Sequence, residues 1–128
     1  MFEQITKGIK ISVKTTYNGT MFRGEQLCYS FSYFISIENK SKNTVQLLER
    51  YWTVFDALND VEFVDGEGVV GQKPILKPND EYHYKSNCFL ISQIGAMRGN
   101  YKMINLDNQK EFLVTIPTFQ FSTNASEN

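Results

Sequence analysis

The sequence predicts an all-β, single-domain protein, an immunoglobulin-like or fibronectin type III-like β-sandwich of about seven strands. Three observations point there. Apolar and β-branched residues recur at every second position in several separate runs, clusters of turn-forming residues fall between those runs, and no long stretch carries the helical period.

The first run sets Ile9, Ile11, Val13, Thr15 and Tyr17 against Lys10, Ser12, Lys14 and Thr16. A strand there turns an apolar row to the core and a polar row to solvent. Tyr29, Phe31, Tyr33, Ile35 and Ile37 repeat the pattern around Ser30, Ser32 and Ser36. Glu38 to Asn43 is a turn cluster, and the third run, Val45 to Phe55, carries the single tryptophan, Trp52. In an immunoglobulin-like sandwich a buried tryptophan on the third strand faces the opposite sheet, and Trp52 stands where that predicts. Asp56 to Asp60 reads as a turn into Val61 and Phe63. Pro74 and Pro78 forbid a helix between them and suit an edge or a loop. Tyr82 and Tyr84 alternate next, then Tyr101 and Met103, and finally Phe112, Val114 and Ile116, with Asn105 to Gln109 as a hairpin connection.

Composition bounds the function classes. A chain of 128 residues fits one domain and buries roughly two-thirds of its unfolded surface. With 41% hydrophobic and 14% aromatic residues, a core forms without staples. The fold is expected over residues 1–121, with 122–128 as a disordered tail. Thirteen basic residues against fourteen acidic ones give a net charge of -1, which leaves no electrostatic footprint for nucleic acid or an anionic membrane. Lys7 apart, the early lysines Lys10 and Lys14 fall on the polar side of an alternating run, a solvated face. No window approaches the apolar length that spans a bilayer, and Met1 to Lys10 does not read as a signal peptide. The expectation is a soluble, cytoplasmic protein, with Cys28 and Cys88 unpaired. The Asn124-Ala125-Ser126 sequon carries no meaning in that setting.

One glycine signature stands out: Gly66-Glu67-Gly68-Val69-Val70-Gly71 matches G-x-G-x-x-G. The helix that a dinucleotide fold needs after it is ruled out by Pro74 and Pro78. No Lys-Ser or Lys-Thr pair follows Gly71, so it is not a P-loop either. Two readings remain. Successive amides at Gly66, Gly68, Val69, Val70 and Gly71 converge into an anion nest, helped by Arg50 or Arg98; or the glycines allow a tight connection, with Asp65 and Glu67 in solvent. The carboxylates favour the second. Gly95-Ala96-Met97-Arg98-Gly99 is a second glycine-flanked segment, read as preceding the strand of Tyr101, and marks with the first a surface for binding.

Catalytic machinery is not assigned. His83, the one histidine, alternates with Tyr82 and Tyr84 and belongs on the outer face of a strand. Cys88 lies five residues away, ~16 Å along an extended chain, too far for a nucleophile dyad. No spaced set of cysteines and histidines suits zinc. Asp56 with Asp60, and Asp65 with Glu67, offer at most weak contacts to hydrated magnesium at turns.

Taken in order, Gln46-Leu47-Leu48, Arg50-Tyr51-Trp52, Asp56-Ala57, Gly66 to Pro74 with Leu76 and Pro78, Gly95, Met97, Gly99, Tyr101 and Ile116-Pro117-Thr118-Phe119 resemble the ApaG family from about Ile9 to Phe121. Tyr51 stands where that family has histidine, which removes a metal or proton-transfer ligand, and Pro78-Asn79-Asp80 replaces Pro-Gly-Glu at a turn. The resemblance implies a fibronectin type III-like fold and a connection with cobalt resistance and magnesium efflux. It also implies a protein-interaction role, since similar domains are appended to F-box and polymerase-associated proteins, and pyrophosphate or nucleotide as the ligand proposed for the glycine motif. A chain without a membrane segment does not conduct ions itself, so any effect on Co2+ or Mg2+ is indirect. The function expected is a non-enzymatic module that binds a protein partner through loops or a sheet edge. The alternative is a binder or hydrolase of pyrophosphate or nucleotides at residues 66–71.

Overall fold

Period-two alternation builds the protein as read, with longer strands and two more of them. The computed structural model describes residues 1–124. Nine strands run through them: β1 (Phe2–Thr6), β2 (Ile9–Arg23), β3 (Gln26–Asn39), β4 (Val45–Asp56), β5 (Glu62–Glu67), β6 (Ile75–Leu76), β7 (Glu81–Leu90), β8 (Ile94–Asn105) and β9 (Lys110–Ser122). One antiparallel sheet has the order β1-β2-β3-β7 and the other β5-β4-β8-β9, with β6 added to β4. The expected count of about seven misses β1 and β6, which are short. Among the described residues no helix is long and apolar enough to cross a membrane.

Two boundaries shift. Gly95 to Gly99 does not precede the strand of Tyr101 but lies inside it, in β8. Ser122, expected to open the tail, is the last residue of β9, and the Thr123 amide donates to the Gln93 carbonyl at 3.2 Å. The rest of the expected tail, 125–128, lies outside the described residues.

The core forms where the two apolar faces meet. Ile9, Ile11 and Val13 of β2 and Phe31, Ile35 and Ile37 of β3 oppose Leu47 and Trp52 of β4, Met97, Tyr101 and Met103 of β8, and Val114, Ile116, Phe119 and Phe121 of β9. Trp52 is 3% exposed. It sits on the fourth strand because β1 precedes, and it crosses to the other sheet as expected: its ring meets Tyr33 of β3 edge-on at 5.7 Å, and within its own sheet it meets Phe119 of β9 at 5.8 Å. Such aromatic pairs add about 0.5–1.5 kcal/mol each beyond the area they bury.

Buried polar groups are paired. Asn39, fully buried, donates from Nδ2 to the carbonyls of Asn43 at 2.8 Å and Leu76 at 2.9 Å, and its Oδ1 accepts from the Ser41 amide at 2.9 Å. It thereby ties the end of β3 to β6. Asp56, read as opening a turn, accepts from the Ile91 amide at 2.8 Å and lies 2.6 Å from Ser92 Oγ. That clamps the end of β4 to the β7–β8 turn.

The two lateral sides of the sandwich differ. On one, β1 and β2 close onto β9, and the Thr115 amide donates to Thr6 Oγ1 at 3.2 Å. On the other, the outer strands β5 and β7 leave a cleft of about 310 Å³ between the sheets.

Candidate functional site

The glycine signature begins inside β5. Gly66 pairs with Arg50 and Glu67 with Glu49 across β4. Beyond β5 the chain folds back on itself: the Val69 amide donates to Gln72 O at 2.8 Å and the Gln72 amide to Val69 O at 3.0 Å. Val70 and Gly71 between them have φ of 47° and 76°, the pair of positive values that a type I′ turn requires. A β-branched residue rarely takes such a φ, and Val70 carries that strain while 62% exposed. Val69 beside it is fully buried and anchors the turn in the core.

Each glycine has a different job. At Gly66 a Cβ would lie 2.7 Å from Arg50 Nη2, so the bare backbone leaves room for a guanidinium laid across it. Gly68 has φ +62°, and a Cβ there would lie 2.2 Å from Gln72 O. Its amide donates to Leu48 O at 2.8 Å. Arg50 Nη1 donates to the carbonyls of Glu67 and Gly68, both at 2.9 Å. The loop therefore turns carbonyls toward a cation, and the amides of Gly68, Val69 and Gln72 are already bonded within the protein.

Arg50 and Arg98, named together in the sequence reading, lie on opposite faces of their sheet. Arg50 shares the inward parity of Trp52 and lines the open cleft. Arg98 pairs with Thr53 on the outer face, its guanidinium 5.2 Å from the Phe55 ring centroid. Tyr51, in the position where histidine was expected, also faces outward and donates to Glu49 Oε2 at 3.0 Å.

Around Arg50 the fold gathers residues that sequence reasoning did not connect. Tyr33, Trp52, Ser86 and Cys88 line the same cleft, with Arg23 and Glu62. Deeper in, Tyr84 of β7 and Tyr101 of β8 share a hydrogen bond between hydroxyls across the two sheets. Burial pushes both phenols above their ordinary range, so both are neutral donors and acceptors at physiological pH. Burial, then the nearby carboxylates of Asp56 and Glu62, pushes the Cys88 thiol up to about 12. A thiol held protonated is a poor nucleophile. A signal for this grouping exists in the sequence: alternation alone places Arg50, Trp52 and Val54 on one face.

The remaining candidates are apart. His83 stands on the outer face of β7, 3.5 Å from Glu81 Oε1, while Cys88 is buried on the opposite face. Cys28 and Cys88 are both free. Among the described residues no three of His, Cys, Asp and Glu come together to hold a metal ion.

Known proteins match this arrangement along nearly its whole length. The ApaG domain family model matches residues 19–105, a span that holds Arg50, the glycine loop and both open edge strands. The chain is 40% identical over 119 residues to Protein ApaG of Brucella canis, covering 93% of this chain and 91% of that one. It is 43% identical over 118 residues to Protein ApaG of Caulobacter vibrioides, covering 92% and 84%. The crystal structure of a putative ApaA protein from Bordetella pertussis superposes with a TM-score of 0.83 at 33% identity, covering 91% and 94%. On these likenesses in sequence and in fold, the chain belongs to the ApaG domain family.

Proposed function

We propose that the protein is a non-enzymatic, cytoplasmic interaction module that captures an extended, basic segment of a partner protein along the free edge of β5. The observation that carries this reading is the character of that edge. Among the described residues β5 ends its sheet, with no strand beyond it, so one row of its backbone donors and acceptors is open to a new strand. Phe63 on it is 73% exposed, and Val61 and Val64 are exposed as well. The other open edge, β7, is guarded by the exposed Glu81, His83 and Lys85, mixed charges that discourage strand addition.

Charge selects the partner. Glu62, Asp65 and Glu67 make β5 acidic, so a second copy laid antiparallel on the same edge sets carboxylates against carboxylates. A segment alternating lysine or arginine with apolar residues matches both the charges and the exposed Phe63 and Val64. The connection with cobalt and magnesium that the family resemblance implies then runs through the partner. Two free, buried cysteines agree with a reducing compartment. The rival reading, pyrophosphate or nucleotide held or hydrolysed at residues 66–71, has less behind it, because the loop offers carbonyls rather than converging amides.

The test uses labelled protein and a synthetic peptide alternating lysine and valine. Saturable amide shifts along 62–67 that weaken with added salt are the expected result. A shift map centred on another strand, or equal binding of a glutamate–valine peptide, overturns the reading.

A further inference from the structure

The cleft between β5 and β7 is a second site, which shares Glu62 and Val64 with the β5 edge but opens between the sheets. At about 310 Å³ it falls at the lower end of the range of small-ligand sites. Trp52, Val54 and Met97 give it an apolar floor, and Arg23, Arg50 and Glu62 stand around it. None of these three charges is in an ion pair among the described residues. Two guanidinium groups against one carboxylate leave one positive charge unmatched.

The geometry of Arg50 says how that charge is presented. Both hydrogens of Nη1 go to the Glu67 and Gly68 carbonyls, and the Gly66 backbone lies against one face of the guanidinium. Among the described residues its Nε and Nη2 have no acceptor, yet no buried polar side-chain atom there lacks a partner. They therefore open to solvent, as the planar Nε–Nη2 edge that holds a carboxylate side-on. We propose that this cleft binds a small monocarboxylate with an apolar body, its two oxygens accepting from Nε and Nη2 of Arg50 and its body lying on Trp52.

The same features select against other anions. A single net positive charge balances a monocarboxylate, whereas pyrophosphate brings excess negative charge beside Glu62. Arg23 is stacked on Phe89, its Cζ 4.5 Å from the ring centroid, and stays at the mouth rather than adding a second clamp. The glycine loop, on this account, is the holder of the arginine and not itself the anion site.

Trp52, the single tryptophan, reports directly on the cleft. Following its fluorescence and its indole N–H resonance, 4-methylpentanoate is titrated beside its amide, 4-methylpentanamide, and beside pyrophosphate. The expected result is saturation by the carboxylate at about 1 mM and binding of the amide at least about tenfold weaker. Equal binding of acid and amide, tighter binding of pyrophosphate, or no saturation by about 50 mM carboxylate overturns the proposal. Arg50→Lys, which keeps the charge but loses the fork, is expected to weaken the carboxylate about tenfold. Should that variant disturb the loop, Glu62→Gln decides instead: removing the rim carboxylate tightens binding several-fold, and an unchanged or weaker affinity overturns the assignment.

Discussion

The two lateral sides of this sandwich solve one problem in opposite ways. On the β1–β9 side aromatic side chains fill the gap: Phe119 meets Phe2 at 6.4 Å, Tyr33 at 5.6 Å and Phe121 at 5.5 Å between ring centroids. On the β5–β7 side Ser86 and Val64 line an open cleft, and a half-buried arginine pinned to loop carbonyls stands in it. Strand β1 makes the difference, since it supplies Phe2 and no matching strand covers the other side. Aromatic packing thus closes one side of the fold, while the other keeps an open cleft with charged groups around it.

The strongest way to break that contrast is Phe119→Ala. A fully buried phenylalanine at the centre of the sealed cluster should cost about 3–5 kcal/mol on removal, read by denaturant unfolding. A loss near 1 kcal/mol would place the strength of the closure elsewhere.

On the open side the largest single effect is expected from Gly68→Val. The substitution forces a β-branched side chain onto a φ of +62° and drives its Cβ against Gln72 O, which should cost roughly 2–3 kcal/mol. The loss should come with release of Arg50, seen as altered tyrosine and tryptophan spectra. A variant with wild-type stability would show that the loop carbonyls are not held as described.

A smaller effect sharpens the contrast by pH. Unfolded, the Cys88 thiol loses its proton near its ordinary value of 9.0, while folded it keeps it to about 12. The unfolded state then binds fewer protons across that window, so the contribution is complete below about pH 9 and is lost as pH rises toward 12, at up to about 1.4 kcal/mol per pH unit. Cys88→Ala should flatten the decline most clearly between pH 9 and 10, before the buried tyrosines join it. No flattening would mean that water reaches the thiol through the cleft.

How far the sequence reaches follows the same division. Alternation identified the inward faces of β2 and β3, down to Ile9, Ile11 and Phe31, because a face buried along its whole length leaves a period-two trace. It also put Trp52 against the opposite sheet. It failed where the strands depart from that period: bulges fall between Tyr17 and Gly19, between Leu47 and Glu49, and between Met97 and Gly99. Gly99 looked like a loop residue, yet it lies in β8, and the position is a glycine because a Cβ there would lie 2.0 Å from the Tyr51 carbonyl. β1 was missed because only Phe2 and Ile5 of its five residues are apolar. The glycine loop was seen, but its direction was not. Whether amides or carbonyls face inward depends on φ values and on Arg50, which approaches from another strand. Of the cleft, only the shared face of Arg50, Trp52 and Val54 left a trace; the opening itself exists only where two sheet edges fail to meet.

The hydroxyl bridge from Tyr84 to Tyr101 has a mechanical meaning. Apolar contacts between sheets resist separation but are tolerant of sliding, because one methyl group can replace another. A directional bond from a β7 phenol to a β8 phenol works as a dowel between two boards: it sets the offset at which they rest against each other. The gap beside it is held to its shape by a bond that resists shear.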